Sequence, residues 1–234
     1  MIAICFHGIE LNKWENSKSS FVNNILDAIF PIVHDIFIHT FDNCGFSSNE
    51  IDQMMTFTLT NSQIIKPKLI VIENLASVNT QNQILYDPLL QYSYGDPELT
   101  KSLFTEVKKI YDAYESIKQY QTNNNIQYQY IMMTRFNCIY ETPLNISLLP
   151  REDTIYTYYT TEPDPCDKIV IGKPKSIEIY ISRYNEIFTC AQNLLPQMGV
   201  CPTSDNFLLL RYCCIKNFGA DWTWTNIGYA SLIL

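Results

Sequence analysis

Ile2-Ala3-Ile4-Cys5-Phe6-His7-Gly8 carries five apolar residues in succession, then a histidine and a glycine. An unbroken apolar run this short, bounded by a turn residue, reads as a strand buried on both faces that opens into a loop. Ser19 or Ser20 then supplies the N-cap of a helix with Phe21, Ile25, Ala28 and Ile29 on one stripe, and Pro31 closes it. His34–Thr40 is a second strand ended by Phe41-Asp42-Asn43. Glu50–Leu59 is expected to be helical, and Lys68–Glu73 is a third strand. Strand and helix alternating over so short a span predict an α/β fold with a parallel, doubly wound sheet.

Past the third strand the pattern loosens. Residues 74–96 show no clear period and read as a long irregular segment. Asp96-Pro97-Glu98 then marks a helix start, with an N-cap acid, proline at the first helical position and an acid in the first turn. Leu103, Val107, Ile110, Tyr114 and Ile117 form its apolar stripe, and Asn123-Asn124-Asn125 ends it. Tyr128–Thr134 is a strand that arrives at Arg135-Phe136-Asn137. Short strands are expected near Thr154–Tyr159 and Lys168–Ile171, and helices at Lys175–Cys190 and Asp205–Asn217. No repeat and no Gly/Ser/Pro linker divides the chain, so residues 1–234 are expected to form one domain.

Composition removes several functions. With 47% hydrophobic and 17% charged residues, the chain can bury a full core. A net charge of −8, with no local cluster of Lys and Arg, argues against nucleic acid as a partner. Only seven glycines are present, and no two lie closer than nine positions apart. That excludes the dinucleotide, Walker A and kinase glycine loops, each of which needs clustered glycines where backbone meets phosphate. Met1 leads straight into the first apolar run, without a basic region or a small-residue cleavage site, so a cytoplasmic protein is expected. The apolar stretches near Ala28–Ile38 and Asp167–Ile171 are interrupted by Pro31, His34, Asp35 or Lys168, and no membrane span is expected. The eight cysteines include no CxxC and read as reduced, mostly buried thiols.

In an open α/β sheet ligands bind beyond the carboxyl ends of the strands, so three strand ends are candidates for a site. His7-Gly8 follows the first strand, and Gly8 suits either close approach of a flat ligand or simple turn geometry. Asp42 follows the second, where it can accept from a ribose or a base, or cap a turn. Arg135 follows the fourth and is one of four arginines in the chain; its guanidinium suits a diphosphate or a structural ion pair. Glu162-Pro163-Asp164-Pro165-Cys166-Asp167 reads as a stiff acidic loop presenting Asp164 and Asp167, either to a hard divalent cation or only to solvent. His7, His34 and His39 lack metal-ligand spacing, and Trp222-Thr223-Trp224 suits stacking on a sugar or packing across a strand.

Several of these segments, taken together, resemble a family of small glycosyltransferases found in bacterial polysaccharide clusters and large DNA viruses. Ile2 to Gly8 resembles the family's first strand and turn, and Asp35-Ile36-Phe37-Ile38-His39-Thr40-Phe41-Asp42 is similar to its second strand. Ser102-Leu103-Phe104 with Lys109-Ile110-Tyr111, Tyr128 to Asn137, and Asp167-Lys168-Ile169-Val170-Ile171-Gly172 followed by Ile179 to Asn185 look like its later segments. The matches keep one order over roughly residues 2–190. The Asn-, Ile- and Tyr-rich wording would fit an AT-rich viral genome, which makes host cytoplasm the expected compartment if the source is viral.

The resemblance implies a GT-A-like fold with a Rossmann-like, mostly parallel central sheet flanked by helices. About residues 1–137 would bind a nucleotide sugar and about 138–234 the acceptor. It also implies transfer of a hexosyl or pentosyl group to a glycan or other hydroxyl, with Mn²⁺ or Mg²⁺ held by a DxD-type motif. His7, Gly8, Asp42 and Arg135 become candidate donor-binding residues. Asn137, Asp164 and Asp167 become candidate metal ligands, and Asp205 and Asp167 candidate bases on the acceptor side. The chain departs from the family at the metal motif, where Arg135-Phe136-Asn137 replaces Arg-Phe-Asp and offers a neutral ligand that holds a divalent ion more weakly. The alternative that follows is a non-catalytic relative that binds a nucleotide or sugar and serves as an interaction module.

Overall fold

Strand β1, Ile2–His7, is buried at every position because a neighbour pairs with each edge and helices cover both faces. The structure, a computed structural model, describes residues 1–59, 62–87, 97–149, 154–159, 165–187, 189, 213, 216 and 225–232. β2 (His34–Phe41) and β6 (Tyr130–Arg135) flank β1, both parallel to it, and β5 (Pro67–Glu73) extends the sheet beyond β2. The alternating side chains of β1 build two cores. Ile2, Ile4 and Phe6 join Trp14, Phe21 and Ile25 on one face, while Ala3 and Cys5 join Ile110, Ala113 and Ile117 on the other.

β7 (Cys138–Tyr140), β8 (Tyr156–Tyr159), β9 (Pro165–Gly172) and β10 (Thr225–Leu232) complete an eight-stranded sheet, ordered β5-β2-β1-β6-β9-β8-β10-β7. β9 runs antiparallel to β6 and β8, and β10 runs parallel to β8 and antiparallel to β7. A separate two-stranded ribbon joins β3 (Phe57–Thr58) to β4 (Ile64–Ile65). Chain order moves from β1 out to β2 and β5, then returns to β6 on the other side of β1. That reversal between β1 and β6 is a topological switch point, where an α/β sheet leaves a crevice beyond its strand ends.

Four local expectations need correction. The first helical segment starts ahead of Ser19: a 3₁₀ turn at Glu10–Lys13 leads into α1 (Trp14–Phe21), a π turn at Val22–Leu26 and α2 (Asp27–Ile29). Trp14 is the reason, because its buried ring meets Phe6 and Phe57 edge-on at 5.0 and 5.7 Å. Ser20 serves the sheet instead of a cap, its Oγ accepting from the Tyr140 amide, and Ser17 Oγ nearby donates to the Phe136 carbonyl. α3 (Ser48–Met54) is shorter than expected, beginning at a capping box between Ser47 and Glu50 and giving way to β3. Much of the segment expected to be irregular is α4 (Leu75–Tyr86), whose start is fixed by Asn74 Oδ1 accepting the Ser77 amide. Finally, β9 begins at Pro165, so Asp167 lies in a strand and not in a loop before it; its side chain, Asp164 and Asp205 lie outside the described residues.

The long helix is as expected. α5 (Pro97–Asn124) buries Val107, Ile110, Tyr114 and Ile117 over β1, and Asn125 at φ 51° ends it in the left-handed region. α6 (Pro174–Ile181) follows β9 with proline in its first turn. Among the described residues no helix is long and apolar enough to cross a membrane. Trp222-Thr223-Trp224 and most of the helix expected at Asp205–Asn217 lie outside the described residues.

Candidate functional site

His7 and Arg135 end neighbouring parallel strands in register, so their side chains leave the sheet on the same face, and His39 stands opposite His7 on its other side. That face is the one α5 covers. Between the strand ends and the first turns of α5 lies a cavity of about 430 Å³, bounded by His7, Gly8, Glu10, Glu106, Lys109 and Arg135, with Glu98 and Lys101 at its rim. Its position is the switch-point crevice between β1 and β6.

Gly8 is required where it stands. Its φ of +113° is a region that side chains rarely adopt, and a Cβ there would sit 2.8 Å from Glu10 Oε2. Its amide donates to the His39 carbonyl at 3.3 Å and its carbonyl accepts from Thr40 Oγ1 at 2.8 Å, which fixes the turn. The bare Cα lets the Glu10 carboxylate fold back over the turn and pair with the Arg135 guanidinium.

His7 is 3% exposed, and its Nε2 has no hydrogen-bond partner. Burial holds its pKa well below the usual 6.5, helped by the charges of Arg135, His39, Lys109 and Arg183, so His7 is a neutral imidazole. An unpaired nitrogen on a buried ring beside a cavity is suited to a ligand polar group. Lys109 is half-buried on α5 with its Nζ 5.1 Å from the centre of the Phe41 ring. Burial lowers its pKa, against the attraction of Glu10 and Glu106.

Of the candidates read from sequence, the structure brings His7, Gly8 and Arg135 together. Asp42 is engaged elsewhere: its carboxylate accepts from Asn74 Nδ2 at 2.7 Å and from the Leu75 amide at 3.0 Å, which anchors α4. Asn137 is buried just past β6 and is not among the residues bounding the cavity. Glu10 and Lys109 were not singled out in the sequence. A signal for Lys109 exists, because Glu98, Ser102, Thr105, Glu106 and Lys109 form a polar stripe at helical spacing beside the apolar one.

Among solved structures, the fold is similar to that of mouse xyloside xylosyltransferase 1 in its apo form, with a TM-score of 0.50 at 9% identity, over 95% of this chain and 83% of that one. The fold is GT-A-like. No family model and no curated protein sequence matches the chain.

A GT-A-like fold raises the question of a divalent ion beside a diphosphate. Among the described residues no three His, Cys, Asp or Glu side chains converge as a ligand set. At the cavity, Glu10 is committed to Arg135 and Glu98 to Lys101 at 2.7 Å, and the Asn137 amide stands apart from the lining. The described residues therefore do not fit a metal-held diphosphate. What they offer is Lys109 with Glu106 on the same helix, the Arg135–Glu10 pair, a neutral imidazole and a close-lying backbone.

Proposed function

We propose that the chain is a nucleotide-sugar-dependent glycosyltransferase that moves a hexosyl or pentosyl group to a glycan or other hydroxyl acceptor. The observation that carries this reading is the cavity at the switch point of a GT-A-like sheet, where Arg135 and Lys109 reach it from a strand end and a helix. Breaking a glycosyl–phosphate bond leaves negative charge on the diphosphate, and fixed cations beside it stabilise that charge as it develops. His7 Nε2 offers a hydrogen bond that needs no charge.

About residues 1–137 would hold the donor and about 138–234 the acceptor, with both halves contributing strands to one sheet. If the anomeric centre is inverted, the acceptor hydroxyl needs a carboxylate base, for which Asp205 and Asp167 are the candidates. Membership of the bacterial and viral family rests on the sequence resemblance, and a place in the cytoplasm on the plain apolar start of the sequence. A second reading, a non-catalytic binder of the same donor, is favoured by Asn137 standing where that family has an acid.

Incubation with UDP-, GDP- and dTDP-sugars, first with Mn²⁺ and then with EDTA, separates the readings. A transferase shows a thermal shift with one nucleotide class together with slow nucleotide release. A shift without release supports the non-catalytic binder, and no shift with any nucleotide contradicts both.

A further inference from the structure

The lysines of α5 are not alike. Lys101 pairs with Glu98 at 2.7 Å, Lys108 with Asp112 at 2.5 Å, and Lys118 with Glu115 at 3.5 Å, each within one turn of the helix. Lys109 has no carboxylate partner and no hydrogen-bond acceptor among the described residues; its Nζ rests over the Phe41 ring and borders the cavity. Burial strips water from this ammonium, and Glu10 and Glu106 offset the cost only at a distance, without a hydrogen bond to it. Its pKa is lowered for that reason.

Across the cavity, Arg135 is held by Glu10, a residue of a 3₁₀ turn whose side chain is 22% exposed. Glu10 lies over the bare Cα of Gly8, where a Cβ would meet its carboxylate. His7, whose Nε2 is buried and unpartnered, belongs to the same lining. Glu10 is held by Arg135, and neither it nor Glu106 makes a hydrogen bond or ion pair with Lys109, so the helix and strand-end cations share no direct anion. A diphosphate can serve both, with one phosphate for the lysine ammonium and one for the guanidinium fork.

Resting on the transferase reading above, we propose that Lys109 is the countercharge for the donor's diphosphate. Arg135 joins it by exchanging Glu10 for the ligand, and the donor is held without a divalent ion. Glu10 then acts as an internal stand-in for the ligand's anion when the cavity is empty.

Inorganic pyrophosphate is the probe, titrated calorimetrically into the full chain in EDTA and again with Mg²⁺. Binding is expected in EDTA. Lys109→Met weakens it by about tenfold or more, the loss of one charge-assisted contact, and Lys109→Arg retains most of it. Glu10→Gln tightens it by releasing Arg135. Lys109→Met also unfolds at the same temperature as wild type or higher, because an apolar chain of similar length replaces a poorly solvated charge; this reports that the variant is folded. Binding only with Mg²⁺ overturns the inference and leaves the transferase reading standing, as does Lys109→Met binding like wild type. Absence of binding by pyrophosphate and by every nucleotide sugar, in either buffer, overturns both.

Discussion

Burial and neighbouring cations act on His7 in the same direction. Desolvation disfavours the imidazolium, and Arg135, His39, Lys109 and Arg183 oppose a further positive charge. The unfolded chain takes up a proton as pH falls through 6.5, while folded His7 does not. Stability from this group is therefore complete above that value and drains away below it. His34, lowered by burial, adds to the same slope. Thermal melts between about pH 7 and pH 5 should show His7→Gln losing less stability on acidification than wild type. Equal slopes in the two proteins would mean that His7 is not the titrating group. Sequence alone reaches His7 because it ends an apolar strand beside a glycine. It does not reach Glu10, whose contact with Arg135 spans 125 positions and depends on the left-handed turn at Gly8.

Elements whose apolar pattern matches their burial were legible, and elements held by single polar contacts were not. β1, β2 and β6 are buried apolar runs and β5 a half-buried one, and each is found within a few residues of where the pattern puts it. α4 has no such pattern. It starts because Asn74 and Asp42, 32 positions apart, satisfy amides of its first turn, and sequence period cannot report that. Asp42→Ala should therefore cost about 1 kcal/mol of stability in chemical denaturation while leaving nucleotide binding nearly unchanged. Loss of nucleotide binding with little change in stability would return Asp42 to the donor site. The antiparallel entry of β9 was equally hidden, because Ile169, Val170 and Ile171 are buried in either strand direction.

At the scale of the whole molecule, strand order makes the site. The chain places β2 and β5 on one side of β1 and β6 on the other, and the crevice between β1 and β6 gathers His7, Gly8 and Arg135 under α5. Scarce and scattered glycines, which exclude a glycine-rich phosphate loop, agree with a diphosphate gripped by side chains from a strand end and a helix. The most direct measurement is a crystal structure of the chain grown with the nucleoside diphosphate that gives the largest thermal shift. The diphosphate is predicted in the β1–β6 crevice, within hydrogen-bond reach of Lys109 Nζ and the Arg135 guanidinium, with Glu10 swung off Arg135. A diphosphate bound elsewhere on the sheet, with the Glu10–Arg135 pair intact, would contradict the account.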